Sequence, residues 1–221
     1  MNWAPLVLSL EVAVLSMLLA LVAGVAFAVL LDAKWMVARD FFEALVCAPL
    51  VLPPTVLGYY LLVTLGTDSA IGRAWESLTG TTIVFSFTGA VIAAAVGSLP
   101  LVVRSARVGL EAVDPSYVQA ARTLGASPTR VLFTVILPLS APAIYAGAML
   151  AFARALGDYG ITQMVAGQMI NGTETASIHV MNALYGGNEI GARNMSIVMT
   201  IVGVTMLTLS NRWLRRINAR G

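Results

Sequence analysis

Long apolar runs broken by short polar stretches set the pattern of this chain. A spanning helix needs about 20 mainly apolar residues. Five runs meet that length: Ala4–Leu31, Phe41–Leu65, Ile83–Val103, Val131–Phe152 and Met195–Leu214. The first is longer than a bilayer requires, so it is expected to tilt or to end at the interface. Between Arg154 and Asn194 the pattern is mixed. Two short apolar pieces, Ile161–Ala166 and Ile178–Tyr185, are split by "NGTET" and "GGNEIGARN". Neither can cross alone, so the region reads as a re-entrant or surface segment, with a sixth span as the alternative. The expected fold class is all-α: one polytopic membrane domain over residues 1–221 with about five transmembrane helices.

Composition sharpens this picture. The chain is 58% hydrophobic and 11% charged, with a mean hydropathy of +0.85. Soluble domains carry roughly 25% charged residues, so this chain cannot coat a globule with solvated surface. The first run lacks a basic leader and outlasts a secretory signal's apolar core, so it is expected to remain as a span. The net charge of +2 leaves no basic footprint for nucleic acid. A single Cys, Cys47, excludes an intrachain disulfide, and with one His, His179, it falls short of a His/Cys zinc site. The one Lys, Lys34, is not in a phosphate-cradling glycine loop, so the chain lacks a Walker A motif. No metal-ligand cluster or nucleophile–base pair points to an embedded enzyme.

Arginine placement orients the spans. Connections 32–40 and 104–130 and the C-terminus fall on one side. They carry Lys34, Arg39, Arg104, Arg107, Arg122, Arg130, Arg212, Arg215, Arg216 and Arg220, against Arg73, Arg154 and Arg193 on the other. The positive side is cytoplasmic. The N-terminus is then expected outside and the C-terminus inside.

The polar break at about 109–130 therefore faces the cytoplasm. Asp114-Pro115 is an N-cap followed by proline at the first helical position. The helix runs to about Leu124, and Gly125 supplies the left-handed residue that ends it. Ser127-Pro128 repeats the start signal and leads into the fourth span. Val113, Tyr117, Ala120, Ala121 and Leu124 recur at helical spacing as an apolar stripe, with Gln119, Arg122 and Thr123 away from it. Such a short, rigidly held helix suits a partner's groove. It equally suits a plain amphipathic connection lying on the membrane or on neighbouring helices.

This stretch resembles the EAA loop of ABC-transporter permease subunits: E-A-A, three residues, G, nine residues, I-x-L-P. Here it reads Gln119-Ala120-Ala121, Gly125 and Val135-Ile136-Leu137-Pro138, with Gln for Glu and Val for Ile. Gln119 keeps an acceptor oxygen but lacks the charge. Together with "APLVLPPTVLGYYLL", "GLEAVDPSYVQAARTLGASPTRV" and "LAFARALGDYGIT", the chain resembles the molybdate-type oxyanion permeases, a group that includes sulfate and tungstate permeases. The resemblance implies a type I ABC importer permease fold and a pore made by two copies. It also implies two cytoplasmic ATPases, which bind ATP and Mg, and an extracytoplasmic binding protein that delivers the anion. The chain itself is expected to bind no cofactor and to be no enzyme. ATPase coupling would fall to Asp114, Tyr117, Gln119, Ala120, Ala121, Arg122, Leu124, Gly125 and Ala126. A passive anion channel is the alternative from another class, but it would not need a docking helix.

Alternating access needs helices that bend. Pro49, Pro53 and Pro54 lie in the second run, and Pro138 and Pro142 in the fourth. Each removes a donor and kinks its helix, with static kinks that merely shape packing as the alternative. Gly89, Ala93 and Gly97 form a small-residue face, expected to serve packing within the chain. Gate candidates lie where apolar sequence meets polar: Pro53, Pro54, Thr55 and Gly58 in the second run, and Gly157, Asp158 and Tyr159 at the outer end of the fourth. Asp158 carries the wrong charge for an oxyanion. It is expected either to pair with Arg154 four residues earlier or to be a solvated loop carboxylate. Glu11 is read as interfacial, and His179 as a surface residue near the contact with the delivering protein.

Overall fold

The computed structural model describes residues 3–32, 38–167 and 174–218. Lys34 and Arg220, and the side chains of Arg215 and Arg216, used above for orientation, lie outside the described residues, as does most of the "NGTET" break. The described chain is helical, in the order α1 (Ala4–Asp32), α2 (Arg39–Val51), α3 (Pro54–Leu65), α4 (Ala70–Thr79), α5 (Phe87–Glu111) and α6 (Pro115–Thr123). There follow α7 (Pro128–Val131), a π-helical segment (Leu132–Ile136), α8 (Leu137–Leu156), α9 (Gly160–Val165), α10 (Ala176–Tyr185) and α11 (Glu189–Asn218).

Four stretches are long and apolar enough to span: α1, α5, the continuous Pro128–Leu156 unit, and α11 through Arg212. A fifth forms if α2 and α3 together make one broken span, and here only the expectation of a single helix needs correction. Phe41–Leu65 is not one helix but α2 and α3, bent by 114° at a short break. The break falls where Pro53-Pro54 removes two successive backbone donors and Pro54 opens the new helix. The third span is also corrected: it starts at Phe87 and runs on to Glu111, so Arg104 and Arg107 belong to a helix rather than to a connection. The mixed region 154–194 contains no further span among the described residues, only the short α9 and α10. A helix absent from the expectations, α4, is started by the Ser69 hydroxyl, which accepts from Gly72 N at 2.8 Å, and is closed by left-handed Gly80.

The centre of the bundle is α5. Its most apolar stretch is 56% buried, against 28% for α1 and 11% for α11. Small residues let α1 and α8 approach it closely. A Cβ at Gly24 would meet Val102 Cβ at 2.8 Å, one at Gly147 would meet Ser105 Cβ at 2.6 Å, and one at Gly109 would meet Ala143 Cβ at 2.8 Å. Dispersion between close backbones drives such packing where lipid gives apolar side chains no reason to prefer each other. The outward faces of α1 and α11 stay apolar and exposed, with Val14, Leu18 and Val22 on one and Ile197, Ile201 and Val204 on the other. Glu11 is exposed on α1.

At the α6 end of α5, charges tie α5 to α2. Arg107 pairs with Glu43 of α2 and, at 2.7 Å, with Glu111. Arg39 reaches Glu111 at 3.3 Å.

Candidate coupling and gating site

The α6 loop forms from local chemistry. Asp114 caps the helix, its carboxylate accepting from Ser116 N at 2.8 Å. That bond holds the carboxyl below the usual Asp range. Pro115 takes the first helical position, and Gly125 at φ +82° ends the helix. The Ser127 hydroxyl then accepts from Arg130 N and starts α7. None of the residues of α6 is buried. Tyr117 is 58% and Leu124 89% exposed. Gln119, Ala120 and Arg122 are exposed as well, while Val113, Val118, Ala121 and Ala126 are half-buried against the body. The expected apolar stripe is thus split: Tyr117, Ala120 and Leu124 look outward, and Ala121 looks inward.

Behind α7 lies a feature with no warning in the expectations. In the π-helical segment the Leu137 N–H bonds back to Leu132 O, one residue further than in an α-helix. Pro138 follows directly, in the first turn of α8, and supplies no donor. The Thr134 hydroxyl covers Arg130 O at 2.7 Å, and Ser140 covers Ile136 O at 2.8 Å. The widened turn thus combines a backbone bond of the wider register with side-chain bonds to carbonyls on either side of it. Pro142 stands within α8, and Pro100, overlooked above, is buried within α5.

The two sets of gate candidates come together. α9 packs on α3, and both lie against the Gly89–Ala93–Gly97 face of α5, which does serve packing within the chain. A Cβ at Gly58 would lie 2.7 Å from Met164 Cβ, and one at Gly160 would lie 2.7 Å from Pro54 Cβ. Leu57, Ala93, Ile161 and Val165 form one buried cluster at this junction. Phe85, held at φ +56°, donates its N–H to Val165 O at 2.8 Å and ties the end of α9 to the start of α5.

Asp158 is the polar centre of the junction. Arg154 Nη1 donates to Oδ1 at 2.8 Å. Thr162 donates to Oδ2 from its N–H at 2.9 Å and from its hydroxyl at 2.7 Å. The Asp158 side chain is 2% exposed, so it is a paired internal anion and not a solvated loop carboxylate. Pairing and three donors compensate a charge that would otherwise be costly to bury. Gly157 ends α8 in the open, and Tyr159 precedes α9. Thr162 was missed as part of the site; its four-residue spacing from Asp158 was the available signal. His179 is half-buried on α10 and pairs with Glu174, whose other oxygen takes the Asn182 amide.

Comparison with known proteins decides what this arrangement belongs to. The family described as "binding-protein-dependent transport system inner membrane component" matches residues 17–220. The chain belongs to this family. The molybdenum transport system permease protein ModB of Escherichia coli K12 is 41% identical, over 98% of this chain and 95% of its own. Its namesake in Haemophilus influenzae is 40% identical, over 95% and 91%. Among solved structures, a chain of the MetNI methionine ABC transporter in an inward-facing conformation superposes with a TM-score of 0.75. It covers 98% of this chain and 97% of its own at 19% identity. The permease therefore has the type I ABC importer fold, and its α6 loop and α3–α9 junction are features of a multi-pass transport subunit.

Proposed function

We propose that this permease forms the transmembrane path for molybdate in an ATP-driven importer and is worked by a separate ATPase. Two copies form the pore, two cytoplasmic ATPases carry ATP and Mg, and an extracytoplasmic binding protein delivers the anion. The N-terminus is outside and the α6 end is cytoplasmic, as the arginine bias argues. The single observation that carries this reading is α6: a capped helix without one buried residue, joined through Ser127-Pro128 and a π-helical turn to a spanning helix. A connection that only closed a bundle would bury its apolar residues, whereas Tyr117 and Leu124 are left for a partner. The molybdenum-permease relatives support the substrate, with sulfate or tungstate as the second choice within the same oxyanion class.

ATP-driven closure of the ATPases would push α6, and α7 would pass the movement to α8. Nucleotide and anion act by preferring different global states. In the α3–α9 junction, Pro53, Pro54, Thr55, Gly58, Gly157, Asp158 and Tyr159 would form or border the gate. Co-purification tests the coupling: an ATPase retained by the wild type and lost with Ala120→Asp or Leu124→Asp, on the outward face, supports it. Conduction of anions by the isolated chain without ATP would establish a passive channel instead. Elemental analysis of the anion held by the partner binding protein tests the substrate, and sulfur without molybdenum would overturn molybdate.

A further inference from the structure

One side of α5 changes character along its length. At Gly97 it is covered by the α3–α9 junction: Ile161 sits on it, and Arg154 Nη2 lies 3.9 Å from where a Cβ at residue 97 would stand. Two helical turns on, about 10 Å toward α6, the same side carries Arg104. There the cover is gone. Arg104 is exposed, as is Val108 one turn further at 66%. Among the described residues Arg104 makes no ion pair or side-chain hydrogen bond, in contrast to Arg107 one turn later, which Glu43 and Glu111 hold. Arg154 is engaged through Nη1 by Asp158 but keeps 33% of its side chain exposed.

An unpartnered arginine within a spanning helix is costly unless water or an anion reaches it. Here it stands on the exposed side of α5, two turns from Gly97, where Arg154 borders the α3–α9 junction. We propose that Arg154 and Arg104 form a two-step relay for a tetrahedral oxyanion leaving the junction. Arg154 takes the anion first, with guanidinium donors that Asp158 does not use. Asp158 competes with the anion for that charge, so the step attracts without trapping, as conduction requires. Arg104, with no carboxylate to compete, draws the anion on, and open water screens it there and permits release. The pathway thus needs no cluster of arginines, only two placed in series. This inference rests on the oxyanion substrate and the orientation proposed above.

The test uses the permease assembled with its ATPase and binding protein in lipid vesicles, following uptake of radiolabelled molybdate and ATP hydrolysis in the same sample. Removing one steering charge is expected to slow uptake about tenfold or more for Arg104→Gln, with the assembled complex and its ATP hydrolysis retained and with Arg104→Lys restoring much of the rate. Arg154→Gln leaves Asp158 buried without its cation, so the double variant Arg154→Gln/Asp158→Asn serves for that step and is expected to slow uptake while the complex still assembles. Wild-type uptake that Arg104→Gln leaves unchanged overturns the relay and leaves the importer reading intact. Loss of ATP hydrolysis together with uptake also overturns it, because the arginine would then serve assembly or coupling. A wild type that moves none of molybdate, tungstate and sulfate overturns the oxyanion reading and the relay with it.

Discussion

Gly58 and Met164 stand so close that a Cβ on residue 58 would come within 2.7 Å of Met164 Cβ. A single hydrogen atom on Gly58 is what lets α3 and α9 meet. Gly58→Ala is expected to destabilise the permease by about 1–3 kcal/mol through overpacking, read as a lower Tm in detergent, and to reduce transport further than stability alone explains. Gly157→Ala is the control. There the nearest atom is Ala153 O at 3.6 Å, and the effect should stay within about 0.5 kcal/mol. Equal losses at both positions would show that the junction is not tightly packed.

Gly125 offers a different kind of test. Nothing lies within 4 Å of a Cβ built there, yet its φ is +82°. The penalty for Gly125→Ala is therefore backbone strain alone, on the order of 1 kcal/mol. Gly125→Asn should cost less, because Asn tolerates the left-handed region. Hydrogen exchange across α6 and ATPase co-purification should rank the three proteins Gly, Asn, Ala. A rank in which Ala equals Gly would mean that the turn at 125 does not set the direction of the loop.

Much of this was legible because the signals are local. Caps and prolines act on their own backbone, so Asp114-Pro115, Gly125 and Ser127-Pro128 marked the α6 loop before any packing was known. Apolar length likewise marked the spans. What escaped was the size of some local effects and the contacts made with partners distant in sequence. Phe41–Leu65 reads as one span by hydropathy, since the bend after Val51 does not change how apolar the run is. The burial of Asp158 required knowing that α9 folds back against α3 and α5. The π-helical segment escaped because its cause, the missing donor of Pro138, would equally fit an ordinary kink.

The Asp114 cap makes the start of α6 sensitive to acid. Its carboxyl is held below its ordinary value of 3.8 by the Ser116 bond. A depressed folded-state pKa gives stability that is present above the unfolded value and is lost as pH falls through the folded one. Amide exchange at Ser116 and Tyr117 should thus speed up below about pH 4, beyond the intrinsic pH trend. Asp114→Asn keeps a capping oxygen without the charge and should remove that extra acid dependence while leaving the helix formed. An unchanged profile in Asp114→Asn would assign the sensitivity to another group.

Pro138 bears on whether the widened turn transmits movement or only accommodates a proline. In Pro138→Ala an N–H appears at residue 138, able to bond Thr134 O in regular α-helical register. The Leu137 bond to Leu132 O is then no longer forced, and Pro128–Leu156 can anneal into a uniform helix. Helix gain outweighs the entropy that proline removed from the unfolded chain, so stability should rise by on the order of 1 kcal/mol. Amide exchange over residues 133–138 should slow. If the segment is a flexible joint between α7 and α8, a stiffer helix transmits each push of α6 in one fixed direction and transport per ATP falls despite the higher Tm. A variant that is stiffer and transports as well as the wild type would leave the joint a structural accommodation, and coupling would then have to run through the Arg107–Glu43 contact between α5 and α2.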